Sequence, residues 1–209
     1  MAMNVRESYD SVARAYAENL SAELERKPLD RHLLNRFAEE TRGRGLVADL
    51  GCGPGHVARY LCGQGVAMVG IDLSPEMIRV ARDAHPRIEF HVGDMNRLDL
   101  PEASLAGAIL FYAIVHLRTG ELGPIFGELR RVLAPGAPAL IAFHAGNEVV
   151  HRDELFGAPV SLDFRFHDPD AVAAALESAG LRVIERVVRE PYEGAEHPSR
   201  RCYLLARAV

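Results

Sequence analysis

Three glycines at alternate positions, Gly51, Gly53 and Gly55, stand in "VADLGCGPGHVARYL" between a short apolar run and a stretch of helical character. Glycine leaves no Cβ where the chain turns sharply, so bare backbone is offered to a ligand. Two acids bracket the turn. Asp49 precedes it, and Asp72 follows Gly53 by 72 − 53 = 19 residues, near the spacing at which an acid meets ribose hydroxyls. Its two oxygens can accept from the 2′- and 3′-hydroxyls together. A dinucleotide loop would read G-x-G-x-x-G, with pyrophosphate over the following helix. Here His56 holds the third glycine's place, which weakens that reading without closing it. No G-K-[ST] follows, so a phosphate P-loop is excluded.

The spacing of apolar residues supplies the elements that must carry these groups. Val5, Tyr9, Val12, Ala13 and Tyr16 form one stripe of a helix. A second helix runs from Leu29 to Glu40, carrying Leu33, Leu34 and Phe37, and stops near Gly43. From Leu46 strands and helices alternate. "LVADL", "AMVGID", "IEFHV", "LAGAILFY" and "ALIAFH" read as strands, the fourth apolar enough to be buried on both faces. Between them lie a helix in "GHVARYLCG", one capped by Ser74 with Pro75 first and Pro86 ending it, and one with Leu122, Ile125, Phe126, Leu129, Val132 and Leu133 that ends at Pro135 and Gly136. After an irregular stretch, Asp168 and Pro169 open a helix closing at Gly180. "RVIERVVRE" and "CYLLARAV" then form an antiparallel pair joined by a loop from Pro191 to Ser199.

This order predicts an α/β fold: a doubly wound, seven-stranded, mostly parallel sheet with the last strand antiparallel and helices on both faces. Residues 1–44 form an N-terminal helical cap or lid and residues 45–209 the main domain, one structural unit in all. Ligands of such sheets bind at the carboxyl ends of the strands, beside the glycine turn.

Composition narrows the partners. A chain of 209 residues with 48% hydrophobic and 25% charged content can build one sizeable core. The net charge of -5 and pI of about 6.0 argue against a nucleic-acid surface. Lys27 is the single lysine, so 24 − 1 = 23 basic residues are arginine; this reads as coding bias and carries no function. Cys52, Cys62 and Cys202 make no C-x-x-C pair, which fits reduced thiols rather than a disulfide or zinc framework. The opening "MAMNVRESYDSVARAY" has no apolar signal core, and no run approaches the roughly 18 apolar residues of a membrane span. A soluble cytoplasmic protein is expected, a monomer or homodimer, with no nucleic-acid or membrane partner.

Together with "VGIDLS" and "VGDMNRLDLP", the glycine block resembles the first three sequence blocks of class I S-adenosylmethionine-dependent methyltransferases. The likeness is close from about Val47 to Leu117 and follows in element order to the C-terminus. It implies S-adenosyl-L-methionine as cofactor, S-adenosyl-L-homocysteine as product, and no metal. It gives Asp49 the ammonium, the turn at Gly51, Cys52, Gly53 and Gly55 the methionine tail, and Asp72 the ribose. Asp94 takes the adenine amino group, with Met95, Leu73 and Met77 packing on the base and Phe111 at the end of the fourth strand. "YDSVARAY" resembles the cap that small-molecule methyltransferases fold over the cofactor, with Tyr16 on the cofactor and Tyr9 toward the acceptor. The competing readings are plain: strand-end caps for Asp72 and Asp94, core filling for Met77 and Met95, packing for the tyrosines.

Methyl transfer from a sulfonium is an in-line displacement in which the cofactor carries the reactivity. A base is needed only where the acceptor starts protonated. After the fourth strand the chain reads "LFYAIVHL". It has neither the N/D-P-P-Y/F/W turn of nucleic-acid amino methyltransferases nor the acid of metal-dependent catechol enzymes. His116, four residues after Tyr112, is the base candidate if a helical turn sets both on one side; the alternative is a structural hydrogen-bonding role. His144 ends the fifth strand at the same edge. His144, His151 and His167 match no metal-ligand spacing. Arg152, Phe164 and Arg165, within "HRDELFGAPVSLDFRF", are wall candidates for the acceptor, and the "PYEGAEHPSRR" loop covers the other side. The expected activity is S-adenosylmethionine-dependent methylation of an O or N atom of a small-molecule metabolite or natural-product intermediate. The alternatives are a non-catalytic S-adenosylmethionine-binding protein and a nicotinamide-dependent oxidoreductase.

Overall fold

The apolar runs assemble into one sheet because each is too hydrophobic to leave a face in water. A computed structural model describes residues 3–209. Its seven-stranded sheet is formed by β1 (Leu46–Leu50), β2 (Ala67–Asp72), β3 (Glu89–Val92), β4 (Gly107–Phe111), β5 (Pro138–Ala145), β8 (Leu181–Arg189) and β9 (Arg200–Ala208), in the order β3-β2-β1-β4-β5-β9-β8. Strand β9 runs antiparallel to both β5 and β8, and the other pairings are parallel. The doubly wound sheet with a reversed last strand is as the alternation predicts.

Helices cover both faces. On one lie α5 (Leu122–Val132) and α6 (Pro169–Ser178), on the other α2 (Pro28–Thr41), α3 (His56–Gly63) and α4 (Pro75–Ala84). Leu122, Ile125, Phe126, Leu129 and Val132 of α5 are all fully buried, each worth about 1.5–3 kcal/mol in transfer from water. Local chemistry sets the helix starts. Ser74 caps α4, its hydroxyl accepting from the Met77 N–H at 3.1 Å, and Pro75 follows at the first position. Asp168 caps α6 in the same way.

Helix α1 (Val5–Leu20) crosses the carboxyl ends of the strands, and a short 3-10 turn (Glu23–Arg26) leads from it to α2. The stretch from His151 to Phe166 is not irregular as the sequence suggested. Strands β6 (Val149–Leu155) and β7 (Ala158–Arg165) pair there as a separate antiparallel hairpin, with Phe156 at its turn at φ 50°. Val160 and Leu162 of the hairpin pack against Val12 and Ala13 of α1. The arm and the first helix therefore stabilise each other above the sheet. Among the described residues no helix is long and apolar enough to cross a membrane.

Candidate active site

A cavity of about 490 Å³ opens at the carboxyl ends of β1, β2, β4 and β5, roofed by α1 and the tip of the hairpin. Its two ends differ in chemistry.

The first end is acidic. Asp49, on β1, is only 2% exposed, and its Oδ2 has no hydrogen-bond partner among the described residues. Burial, helped by the neighbouring Asp72, pushes its carboxyl up to about 7 against the pull of His56. Asp72, at the end of β2, is held as a carboxylate cradle: Oδ2 accepts from the Gly53 N–H at 2.8 Å and Oδ1 from the Ser74 N–H at 2.9 Å. Its pKa also rises, burial outweighing those two bonds. Gly53 sits at φ 51°, and a Cβ there would project toward the Tyr16 ring, 3.9 Å away. Ligand-facing space is kept open by that missing atom. Met77 is buried, Leu73 is 44% exposed, and Asp94 stands at the mouth with Met95 beside it.

Gly55, placed by the motif with the ligand contacts, does not line the cavity. It caps α3 at φ 79°, and a Cβ would fall 2.6 Å from the Phe90 ring, so its role is the close approach of turn to strand. Gly51, Cys52 and Gly53 do line the cavity, as do Tyr9, Tyr16 and Phe111.

A carboxylate stands where a pyrophosphate would approach. Glu23 reaches from the turn after α1 to His56 at the start of α3, with Oε1 2.7 Å from Nε2, while Oε2 accepts from Lys27 Nζ at 2.6 Å. These bonds hold Glu23 down to about 2 against the opposing effect of burial.

The other end is built on β4, β5 and β9. Tyr112 follows β4 in the left-handed region, φ 57°, a conformation that costs a non-glycine residue about 1–3 kcal/mol and gathers at functional sites. Between Tyr112 and His116 the chain forms a hydrogen-bonded turn, closed by the Leu117 N–H on the Ile114 carbonyl at 3.1 Å. Both side chains still line the cavity. Tyr203 donates to Asp30 at 2.8 Å, so the 3.1 Å contact between Tyr112 and Tyr203 is a donation by Tyr112. Burial raises the Tyr112 phenol far above its ordinary range. With its proton committed, Tyr112 is not a base.

His116 is tied at both nitrogens. The Asp163 carbonyl can only accept, so Nδ1 carries the proton and donates to it at 2.8 Å. Nε2 is then the acceptor of the Tyr9 hydroxyl at 2.7 Å. Burial lowers the His116 pKa, keeping the ring neutral. Phe164 packs edge-on against it, ring centroids 4.9 Å apart, and lines the cavity as expected of a wall residue. Arg152 and Arg165 do not line it. Arg152, paired with Leu162 and so on the Phe164 side of the hairpin, is exposed on β6, whereas Arg165, next to Phe164 in the chain, faces the opposite side and pairs with Asp163 at 2.8 Å.

His144 is 2.8 Å from Ser199 Oγ through Nδ1 and is stacked on Phe166. Burial, then the charges of Arg201, His197 and Lys27, push its pKa down to about 3. His167 is buried against the Ile114 carbonyl, and His151 is exposed between Asp153 and Asp163. The His167 N–H donates to the His144 carbonyl at 2.8 Å, but the three imidazoles have separate partners, and no cluster among the described residues is arranged to hold a metal ion.

Sequence reasoning missed Glu23, Lys27, Phe156 and Arg201, all on the cavity wall. Lys27 carried a signal as the single lysine, Phe156 and Arg201 lay unsingled within the two stretches read as pocket walls, and Glu23 carried none. The loop from Pro191 to Ser199, expected to cover the pocket, places none of its residues on the cavity wall and is held by Glu196, which binds both arms of Arg189 at 2.6 and 2.9 Å.

The family described as "Methyltransferase domain" matches residues 47–136. A Mycolicibacterium smegmatis protein named as an S-adenosylmethionine-dependent methyltransferase is 30% identical over 162 residues, 72% of this chain and 62% of that protein. Magnesium-protoporphyrin O-methyltransferase of Rhodobacter capsulatus is 28% identical over 124 residues, 53% of this chain and 54% of that one. The chain thus spans little more than half the length of these curated relatives. The crystal structure of the PH0226 protein from Pyrococcus horikoshii superposes with a TM-score of 0.69 at 22% identity, covering 94% of this chain and 91% of that one, a likeness of fold.

Proposed function

Because the chain belongs to the class I S-adenosylmethionine-dependent methyltransferase family, we propose that it methylates an O or N atom of a small-molecule acceptor in this cavity. The observation that carries the reading is the unpartnered, buried Asp49 Oδ2 beside an Asp72 held by the glycine turn. A buried anionic oxygen without a partner is costly, and an ammonium from a ligand relieves that cost. S-adenosylmethionine fits the donor set: its ammonium at Asp49, its ribose diol at Asp72, its adenine between Leu73, Met77 and Met95 with Asp94 at the amino group. A dinucleotide fits poorly, since Glu23 puts negative charge at the start of α3, where pyrophosphate needs bare N–H groups.

When bound, the cofactor supplies an electrophilic methyl group on sulfonium. The chain's own part is to position and to exclude water. Tyr16 packs edge-on against Tyr9 and Phe156, centroids 5.7 and 5.8 Å apart, so α1 and the hairpin tip close over the mouth together. In this reading α1 and the following turn are the cap, whereas α2 packs its Phe37 into the core beneath the sheet. His116 receives an acceptor proton by way of Tyr9, whose hydroxyl it already holds.

Isothermal titration with S-adenosylhomocysteine tests the reading. Binding is expected, and no detectable heat at high micromolar concentration refutes it. NADH fluorescence is expected not to rise on mixing. A panel of hydroxyl and amine acceptors, scanned by mass for added methyl groups, separates an enzyme from a non-catalytic binder, which yields none.

A further inference from the structure

Arg201, the second residue of β9, lies directly opposite His144 on β5, and both line the cavity beyond Tyr112. Arg201 is 3% exposed, and its Nε–H has no partner among the described residues. Three of its other four N–H donors are spent, on the Ser199 carbonyl, on Ser199 Oγ at 2.7 Å and on the His197 carbonyl at 3.2 Å.

The polarity of these bonds fixes what His144 offers. A guanidinium only donates, so Ser199 Oγ accepts from Arg201 and has one proton to give; of the two imidazole nitrogens in reach, Nδ1 of His144 at 2.8 Å is nearer than Nδ1 of His197 at 3.3 Å and takes it. A neutral imidazole accepting at Nδ1 carries its hydrogen on Nε2, and that nitrogen has no partner among the described residues. Phe166, stacked at 14° to the ring, holds its plane. Lys27 adds positive charge 5.4 Å from the centroid of the Tyr112 ring, and Arg201 lies 5.8 Å from the same centroid. Glu196 approaches both cations, at 3.8 and 3.7 Å, outside hydrogen-bond reach, and its oxygens are taken by Arg189 and the Tyr192 N–H. Unspent donors on His144 Nε2 and Arg201 remain with the Arg201 charge and no available acceptor, and Lys27, paired with Glu23 at 2.6 Å, stands behind them.

We infer that His144 and Arg201, backed by Lys27, form a carboxylate-binding subsite, and that the methyl acceptor is a small molecule carrying that carboxylate. The inference rests on the methyltransferase reading for the occupant of the other end. Strand order places it there: β1 and β9 are three spacings apart across β4 and β5, about 14 Å. The methionine tail carries ammonium and carboxylate on one carbon, so an ammonium at Asp49 leaves its carboxylate beside β1 and β4. The subsite on β5 and β9 then belongs to a second molecule.

Benzoate and its neutral counterpart benzamide probe this, titrated with and without S-adenosylhomocysteine and followed by saturation-transfer NMR. Benzoate is expected to bind the wild type at least about tenfold more tightly than benzamide, the scale of one charge-assisted bond. Arg201→Met and His144→Phe, made separately, are each expected to erase that preference and to leave S-adenosylhomocysteine affinity unchanged. Equal binding of the two probes to wild type overturns the inference without any variant having to fold. So does a preference that survives in both variants. A loss of S-adenosylhomocysteine affinity in Arg201→Met, with the decarboxylated analogue binding both proteins alike, assigns the carboxylate to the cofactor and also overturns it. A wild type that prefers benzoate but ignores S-adenosylhomocysteine upholds the subsite and fails the cofactor reading instead.

Discussion

Asp49→Asn is expected to stabilise the ligand-free protein at alkaline pH while abolishing its ligand response. The carboxyl has an ordinary value of 3.8 and is pushed up to about 7 in the fold, first by burial. Between those two values the folded protein holds a proton that the unfolded chain has released. Stability therefore falls as pH rises through this window, and the loss is nearly complete above pH 7. Integrating the linkage gives about 2–3 kcal/mol lost between pH 5 and pH 8 through this one group. Asparagine does not titrate, so the difference in stability between variant and wild type grows by that amount over the same interval. Urea unfolding at half-unit steps of pH measures it directly. The same ionisation is what an ammonium would use, so wild-type affinity for S-adenosylhomocysteine rises from pH 6 to pH 8, and binding at pH 6 releases a proton into the buffer. Parallel stability curves for the two proteins would refute the assignment of a buried, proton-holding Asp49.

Asp72→Ala removes the acceptor of the Gly53 and Ser74 N–H groups and should weaken S-adenosylhomocysteine binding by about 1–3 kcal/mol in calorimetry. Gly55→Ala forces a side chain into the left-handed region 2.6 Å from Phe90 and should cost about 2–4 kcal/mol of stability by urea unfolding; a native-like midpoint would show that Phe90 gives way freely. Arg189→Met strips Asp30 and Glu196 of their shared cation inside the fold, and a loss of about 3–5 kcal/mol in the same assay is expected.

Where local rules decided the structure, the sequence was readable. The helical stripe from Val5 to Tyr16, the Ser74–Pro75 start and the reversed last strand all follow from neighbours within a few residues or from strand–helix alternation. The hairpin of β6 and β7 escaped because β6 is mostly exposed, with Arg152, Asp153 and Glu154 in a row, and β7 buries only Val160 and Leu162. Its partner is α1, more than a hundred residues away in sequence. The same distance hid the bond between Tyr9 and His116, which no spacing rule could suggest. In the glycine turn the motif was visible, yet only the packing of Phe90 distinguishes Gly55, which serves the protein, from Gly53, which serves the ligand. Arg152 and Arg165 looked suitable by charge, but hairpin register turns Arg165 away from the Phe164 side, and Arg152, on that side, is exposed and does not line the cavity.

The scarcity of lysine has a practical edge. Lys27, the sole side-chain amine in the chain, stands on the cavity wall with its side chain 10% exposed. Acylating esters and amine cross-linkers thus find no lysine anchor on the outer surface, whose cations are guanidinium groups. Any acyl mark on Lys27 is a report from inside the pocket, and its rate of appearance becomes a clock for how long the pocket stands empty.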